Sequence, residues 1–338
     1  MTQHGGNIYS FAQQLHCAPE EIIDFSSNIN PHQAVDITQF DAQLLKPYAD
    51  PSYQTVKKAL KQRYTEFVPF DIELFNGASA AIFALLRFLK PEICVLYAPL
   101  YGEYQQVSQF FAEKTCLINR FEEKIIPIPP NSTIIFVNPS TPDGCYYSLE
   151  KLIFEWKKAS CTIIIDESFL DFTPYTSAIE YLKEYSHFFI IKSLTKFYGC
   201  AGVRFGFIVG NSQSINSLRQ QEPIWKLSSF DIWYVEHALQ NTDFVVETFQ
   251  KTKELREILK TVLIAQNWHV YDSQANFLLA KLERCDGYDL QNKLLPDKIL
   301  VRVCDNFDFL DAFYVRFAVK EIEDILCLEK ALERISAF

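Results

Sequence analysis

Three side chains near the middle of the chain could act together on one ligand. Ser193, Lys196 and Arg204 lie within a dozen residues, between two apolar runs that predict strands. A lysine amine can form a Schiff base with an aldehyde, and a hydroxyl and a guanidinium can hold a phosphate. The group suits a cofactor that carries both functions, such as pyridoxal phosphate. Taken alone, the pattern also fits a solvated lysine in a loop.

Asp166 places a carboxylate at the end of the apolar run 162–165. A carboxylate at the mouth of a buried strand is costly unless a cation lies beside it. The protonated ring nitrogen of pyridoxal phosphate is such a cation, and the pair would keep the ring an electron acceptor. A helix cap at a strand-to-loop junction is the alternative.

The tetrapeptide Asn76-Gly77-Ala78-Ser79 follows a predicted strand and opens a predicted helix. Small residues there let backbone amides approach a phosphate, and the helix N-terminus adds partial positive charge. A simple N-cap by Ser79 would give the same pattern. Tyr101 follows another strand end and could stack on a flat ring. Because 15% of the chain is aromatic, a core or surface role is equally open to it.

Arg302 and Arg316 lie in the last two predicted strands, each flanked by apolar residues. A strand arginine in such surroundings is costly unless it faces a carboxylate or a phosphate, which its planar fork binds in bidentate fashion. Structural salt bridges are the alternative. Two such arginines in successive strands favour an anionic substrate.

The elements that must position these residues follow a regular order. From residue 50 to 209, short β-branched runs alternate with helical segments, which predicts a mostly parallel α/β sheet covered on both faces. Ligands bind at the carboxyl ends of such strands, where this chain concentrates its polar residues. The C-terminal part changes to an α+β rhythm. The predicted division is a large domain over 35–230 and a smaller domain made of 1–34 and 240–338.

The predicted element bounds are as follows. Strands are expected at 22–25, 72–75, 93–97, 133–137, 162–165, 188–191, 205–209, 276–281, 299–303 and 314–319. Helices are expected at 7–16, 52–66, 79–89, 103–113, 149–159, 286–294 and 322–335, with one long or broken helix over 229–264.

Charge, cysteine content and the length of the apolar runs exclude several classes of protein. The 338 residues carry a net charge of −10, which argues against general binding of nucleic acid or acidic membranes. The nine cysteines include no close C-x-x-C pair, and the N-terminus lacks a signal-peptide pattern. Both features predict reduced thiols in a cytoplasmic protein. Apolar runs are too short to cross a bilayer, and the six histidines lack metal-ligand spacing, so neither membrane insertion nor a metal site is expected.

Together these motifs resemble the fold-type I pyridoxal-phosphate enzymes of the class I and II aminotransferase superfamily. Within it, the opening His4-Gly-Gly-Asn-Ile8 and the stretch Asn28-Ile-Asn-Pro31 resemble the threonine-phosphate decarboxylases of cobalamin biosynthesis, near relatives of the histidinol-phosphate aminotransferases. The likeness runs from His4 nearly to the C-terminus and rests on residues 4–8, 24–31, 48–53, 138–144, 166–172, 193–198, 301–307 and 314–316.

The resemblance implies an aspartate-aminotransferase-like fold with a seven-stranded sheet, and a homodimer with shared active sites. It implies that Lys196 binds the cofactor covalently and later moves protons, that Asp166 pairs the ring nitrogen, and that Tyr101 stacks on the ring. The cofactor phosphate would be held by Ser193, Arg204, the segment Gly77, Ala78 and Ser79, and Tyr48 from a second subunit. The substrate would be held by Arg316 at its carboxylate, with Arg302, Asn28 and His4 around its phosphate.

Three positions depart from the family pattern. Thr141 replaces an asparagine that donates to the cofactor's phenolic oxygen, and Asp143 replaces the usual threonine. A hydroxyl can still donate there, although it is shorter than an amide. Phe169 stands where the aminotransferases carry a tyrosine that contacts the same oxygen. The decarboxylase resembles this chain in having a phenylalanine at that position.

The leading functional hypothesis is a carboxy-lyase reaction on a small phosphorylated amino acid. L-threonine O-3-phosphate would form a Schiff base with the cofactor and yield (R)-1-aminopropan-2-yl phosphate and carbon dioxide. An aminotransferase acting on histidinol phosphate or an aromatic amino acid is the alternative, because the same residues can support either outcome. A cofactor-binding protein without turnover is a third hypothesis, motivated by Thr141 and Asp143.

Overall fold

A computed structural model describes residues 5–64, 70–122 and 124–336. Its strands are β1 (Ile23–Asp24), β2 (Asp71–Phe75), β3 (Ile93–Ala98), β4 (Lys114–Asn119), β5 (Thr133–Val137), β6 (Thr162–Asp166), β7 (Phe188–Ser193), β8 (Gly206–Gly210), β9 (His269–Val270), β10 (Phe277–Lys281), β11 (Ile299–Leu300), β12 (Arg302–Val303) and β13 (Tyr314–Ala318). Its α-helices are α1 (Ile8–Leu15), α2 (Gln54–Tyr64), α3 (Gly77–Leu89), α4 (Gly102–Phe111), α5 (Glu150–Lys158), α6 (Ser212–Arg219), α7 (Ser229–Gln240), α8 (Thr242–Ile264), α9 (Gly287–Leu294) and α10 (Ile322–Ser336).

The described part of the chain is built around a seven-stranded sheet with the order β2-β8-β7-β6-β5-β3-β4. Only β8 runs antiparallel to its neighbours, so the predicted mostly parallel α/β sheet is confirmed. Its central strands are almost continuous β-branched and aromatic runs because both faces are buried. Successive side chains alternate between the faces: Ile134 and Phe136 pack on one side, Ile135 and Val137 on the other.

Helices cover both faces of this sheet. Side chains of α2, α5 and α7 pack in one apolar cluster, and those of α3, α4 and α6 pack in the other. Because β2, β3, β5, β6 and β7 all run in the same direction, their carboxyl ends meet at one edge of the sheet. Because β8 is antiparallel, the residues just before it, including Arg204, reach the same edge.

A four-stranded antiparallel sheet, with the order β12-β13-β10-β9, forms a second layer with α8 and α10. The N-terminal segment joins it: β1 pairs in parallel with β11, and Phe25 packs in the same apolar cluster. This pairing brings the polar loop that follows β1 towards the large sheet. The proposed domain bounds at 34 and 240 remain predictions.

Several predicted elements need correction. β4 and α6 were not predicted: β4 is a partly exposed edge strand without an apolar run, and α6 is a short, largely polar helix. The segment 229–264, predicted as one long or broken helix, is broken: Asn241 ends α7, and its side chain caps α8 by accepting from the Phe244 backbone N–H. The predicted strand 299–303 is two short strands with different partners, β11 and β12. Residues 65 and 66 of the predicted helix 52–66 lie outside the described residues.

Across the described ranges, no helix is long and apolar enough to span a bilayer. The same ranges contain no group of three or more metal-ligating side chains.

Candidate active site

A cavity of about 340 Å³ opens at the carboxyl edge of the large sheet, facing β12 and β13. It is lined by side chains from the strand-end loops of the large sheet, from the loop after β1 and from the second sheet. Eleven of the residues that the sequence predicts for the site line it together: Asn28, Ala78, Ser79, Tyr101, Thr141, Asp166, Ser193, Lys196, Arg204, Arg302 and Arg316.

Lys196 lies in the turn that follows β7. Its backbone carbonyl accepts from the Asn30 N–H at 3.0 Å, which ties the loop after β1 to this turn. Gly199 completes the turn with φ +62°, packed against the carbonyl of His32. Burial lowers the pKa of Lys196; the Asp166 carboxylate opposes this shift, and the charges of Arg204 and Arg316 add to it. A lysine of lowered pKa supplies the neutral amine that attacks an aldehyde.

Asp166 ends β6 and is held by three hydrogen bonds. The backbone N–H of Ser168 donates to Oδ1 at 2.8 Å, and the Ser168 hydroxyl donates to the same atom at 2.5 Å. The Tyr104 hydroxyl donates to Oδ2 at 2.8 Å. The sequence analysis missed Tyr104, although its position one helical turn after Tyr101 was a signal that could have found it.

The start of α3 forms a small-residue turn beside Arg204. Gly77 has φ +82°, and a Cβ there would lie 2.5 Å from Nη2 of Arg204. Gly77 therefore shapes the turn without lining the cavity. Gly206 lets the backbone of β8 approach equally closely, because a Cβ on it would lie 2.5 Å from the Ala78 nitrogen.

The first turn of α3 is free to bind an anion. Asn76 is its N-cap residue, and its side chain makes no capping hydrogen bond. Ser79 is the third residue of the helix, so it is not the N-cap. The Ser79 hydroxyl lies 3.4 Å from the hydroxyl of Tyr101, and the Ser193 hydroxyl lies 3.0 Å from that of Thr195. Uncapped amides, hydroxyls and the Arg204 guanidinium together make a site that fits a phosphate.

Arg302 and Arg316 are directly opposite each other in the antiparallel pair β12 and β13. Arg316 donates to the Ser26 carbonyl at 2.9 Å and to the Thr141 hydroxyl at 3.2 Å. Its Nε is buried and has no hydrogen-bond partner among the described residues. Burial lowers the pKa of Arg316 to about 10. A buried guanidinium with a spare donor is a site for an anionic ligand.

Arg302 is also buried and binds within its own strand and the loop that follows it. It donates to the Val303 carbonyl at 2.5 Å and to Oδ1 of Asn306 at 2.5 Å. Both Asn306 and Arg302 line the cavity. Asn28 lines the same cavity and is buried, with an Oδ1 that has no partner in the described part of the chain. The backbone carbonyl of Asn28 accepts from the Asn276 side-chain amide at 3.0 Å, a contact that sequence reasoning missed.

Two of the predicted contacts are not seen in the described part of the chain. Tyr48 is 80% exposed and stacks on Trp225, with ring centroids 4.9 Å apart, so it does not line the cavity of its own chain. His4 lies outside the described residues. Their predicted contacts with the cofactor phosphate and the substrate remain predictions.

The three departures from the family pattern have different surroundings. Thr141 lines the cavity, and its hydroxyl accepts from Arg316 while keeping its own proton to donate. Phe169 also lines the cavity, with its ring centre 5.2 Å from Nζ of Lys196. Asp143 does not line it. Its carboxylate accepts from the Ser140 hydroxyl and from that of Tyr147 at 3.2 Å, so it stabilises the turn.

A buried lysine, a strand-end carboxylate and an uncapped helix start, arranged on this sheet, are the groups that a pyridoxal-phosphate enzyme needs. The family model for aminotransferase class I and II matches residues 7–326, and the chain belongs to that family. Pyridoxal 5'-phosphate is its cofactor, and the cavity fits it: an amine for the aldehyde, a carboxylate for the ring nitrogen and uncapped amides for the phosphate.

Among characterised proteins, the chain is 29% identical to the threonine-phosphate decarboxylase of Salmonella typhimurium over 94% of this chain and 92% of that protein. The structure of histidinol-phosphate aminotransferase from Clostridium acetobutylicum superposes with a TM-score of 0.82 at 27% identity, over 93% and 98% of the two chains. L-threonine-O-3-phosphate decarboxylase from Porphyromonas gingivalis has a TM-score of 0.80 at 19% identity, over 93% and 99%. The protein is an enzyme of this superfamily, related to both decarboxylases and aminotransferases.

The lowered pKa of Lys196 predicts the pH dependence of cofactor attachment. Attachment needs the neutral amine, and a lower pKa populates that form at lower pH. We expect the rate at which cofactor-free protein binds pyridoxal phosphate covalently to rise with pH and to level off below the ordinary lysine pKa of about 10.4. Stopped-flow absorbance measures the rate, with Nα-acetyl-lysine as the control amine. A rate that keeps rising up to the same pH as the rate of the free amine would contradict the prediction.

Proposed function

We propose that the protein decarboxylates L-threonine O-3-phosphate to (R)-1-aminopropan-2-yl phosphate and carbon dioxide. The observation that carries this proposal is the facing pair Arg302 and Arg316, both buried at one end of the cavity. Two guanidinium groups side by side suit a substrate with two anionic groups. Threonine phosphate carries a carboxylate and a phosphate in one molecule, so a single substrate would engage both guanidinium groups.

Each residue then has a defined task. Arg316 binds the substrate carboxylate, and its spare Nε donor adds to that contact. Arg302, supported by Asn306, binds the phosphate together with Asn28 and His4. Thr141 orients Arg316 and retains a hydroxyl proton for the cofactor's phenolic oxygen.

Pyridoxal phosphate supplies an electron-accepting ring that stabilises negative charge at the substrate Cα. Asp166 would hold the ring nitrogen and Tyr101 would stack on the ring. The cofactor phosphate would be held by Gly77, Ala78, Ser79, Ser193 and Arg204. Displaced by the substrate amine, Lys196 would take up the proton that the substrate ammonium gives up. Once carbon dioxide has left, the Lys196 ammonium donates a proton to Cα, and the released amine carries that proton in place of the carboxylate.

We also propose a cytoplasmic homodimer. Tyr48, Ile224 and Trp225 are exposed by 80%, 64% and 55%, and a second copy of the chain would cover them and receive Tyr48 at its cofactor phosphate. All nine cysteines are free thiols, which supports a reducing compartment. A stable, active monomer in sedimentation velocity would exclude the shared site.

The deciding experiment compares two reactions of the purified holoenzyme. Threonine phosphate is supplied without a keto acid, and carbon dioxide and the amine product are measured. Histidinol phosphate, and separately an aromatic amino acid, are supplied with 2-oxoglutarate, and amino transfer is measured. We expect stoichiometric carbon dioxide release from threonine phosphate alone. Keto-acid-dependent transfer without carbon dioxide release would support the aminotransferase alternative instead.

The variant Arg302→Gln tests the substrate's second anionic group. We expect it to lower kcat/KM for threonine phosphate by about 10- to 100-fold, because a charge-assisted contact is lost. Its kcat/KM for unphosphorylated threonine should stay near that of the parent. Equal losses for both substrates would remove Arg302 from the phosphate site.

A further inference from the structure

Tyr104 is a buried tyrosine behind the cavity wall. It lies in the first turn of α4, is fully buried, and does not line the cavity itself. Its hydroxyl donates to Oδ2 of Asp166 at 2.8 Å. Because Ser168 binds only Oδ1, Tyr104 supplies the one described hydrogen bond that restrains the other carboxylate oxygen.

The surroundings of Tyr104 keep it a donor. Its ring packs in the apolar cluster between the large sheet and α4, with neighbours such as Leu100 and Val107. Burial raises the pKa of its hydroxyl well above the usual value, and the charge of Asp166 adds to the shift. A neutral phenol that donates to a carboxylate oxygen stabilises the charged carboxylate and fixes its rotation.

We propose that Tyr104 is a positioning residue that holds Asp166, charged and correctly rotated, for the ring nitrogen of pyridoxal phosphate. The inference rests on the proposed role of Asp166 and is independent of which substrate is decarboxylated or transaminated. Tyr101 and Tyr104 are three residues apart on one helical turn. The same turn therefore carries the residue proposed to stack on the ring and the residue that anchors the carboxylate beneath it.

The test measures cofactor binding in the absence of substrate. Tyr104→Phe keeps the ring and removes the hydroxyl. We expect its dissociation constant for pyridoxal phosphate to rise about tenfold, as for loss of one hydrogen bond to a charged group. The pH titration of the bound cofactor's visible absorbance should shift as well. Tyr97→Phe is the matched control, because it deletes a buried hydroxyl that contacts Lys124 and Trp156 and no cavity residue.

A double-mutant cycle separates positioning from general destabilisation. In an Asp166→Asn background, Tyr104→Phe should weaken cofactor binding by less than about twofold, because its partner's charge is already gone. Unfolding curves of the cofactor-free variants show whether the phenylalanine is tolerated. The proposal is overturned if Tyr104→Phe binds the cofactor as tightly as the parent, or if its effect is equally large in the Asp166→Asn background. If Asp166→Asn alone leaves binding unchanged, the role of Asp166 fails, and the inference about Tyr104 fails with it.

Discussion

Replacing Lys196 by alanine is expected to lower turnover by about 10⁴-fold, because one amine both attaches the cofactor and moves the proton at Cα. The structure places this amine in the cavity with Asp166, Arg204 and Arg316, where burial and the two guanidinium charges lower its pKa. Two measurements check the prediction: kcat on the substrate, and the visible absorbance of covalently bound cofactor, which should disappear.

Lys196→Arg is the matched control for this experiment. It keeps a long cationic side chain but supplies no neutral amine, since the guanidinium stays protonated. We expect it to be as inactive as Lys196→Ala. A Lys196→Ala protein that retained the absorbance of attached cofactor would show that another residue holds it.

The second large effect concerns stability. Lys192 and Glu167 form a buried ion pair below the active-site edge, with 2.9 Å between Nζ and Oε2 and exposures of 1% and 2%. Glu167 also accepts from the Ser177 hydroxyl and the Ala178 N–H, each at 2.6 Å. Burial acts to lower the pKa of Lys192, but the attraction of Glu167 and Asp171 and the hydrogen bond to Glu167 together outweigh it, so the pKa is raised.

Glu167→Ala leaves the Lys192 charge buried and unpaired. We expect it to lower the free energy of unfolding by about 3–5 kcal/mol. In this variant, the smaller attraction of Asp171 opposes the effect of burial on Lys192, so the pKa of Lys192 falls below its ordinary value. The unfolded chain then binds the proton more tightly than the folded protein, and stability should rise as pH increases towards about 10.4.

Urea denaturation of the cofactor-free protein at several pH values measures both effects. Glu180→Ala is the control, because the Glu180–Lys183 pair is exposed and its loss should cost about 0–1 kcal/mol. A Glu167→Ala protein no less stable than Glu180→Ala would show that the buried pair does not stabilise the fold.

Local sequence patterns were sufficient to predict the class of fold and the main groups of the site. β-branched runs alternating with helices define a parallel sheet through local patterns alone, and each strand end is encoded by the residues beside it. Lys196, Asp166 and the Gly77–Ser79 turn could therefore be predicted, and the structure brings them to one edge of the sheet. Edge strand β4 and helix α6 were not predicted, because their apolar patterns are weak and their structure depends on packing against neighbouring elements.

The contacts between distant residues could not be predicted in this way, because they depend on the tertiary structure. Tyr104 and Asp166 are 62 residues apart, and Arg316 contacts the Ser26 carbonyl across 290 residues. The pairing of β1 with β11 brings the loop of Asn28 to the cavity, and the register of β12 with β13 sets Arg302 opposite Arg316. Such contacts depend on strand pairing and helix packing between separate parts of the chain, which no local pattern encodes. The residues expected to bind the cofactor can thus be predicted from short motifs, whereas the shape of the substrate pocket depends on the assembled fold.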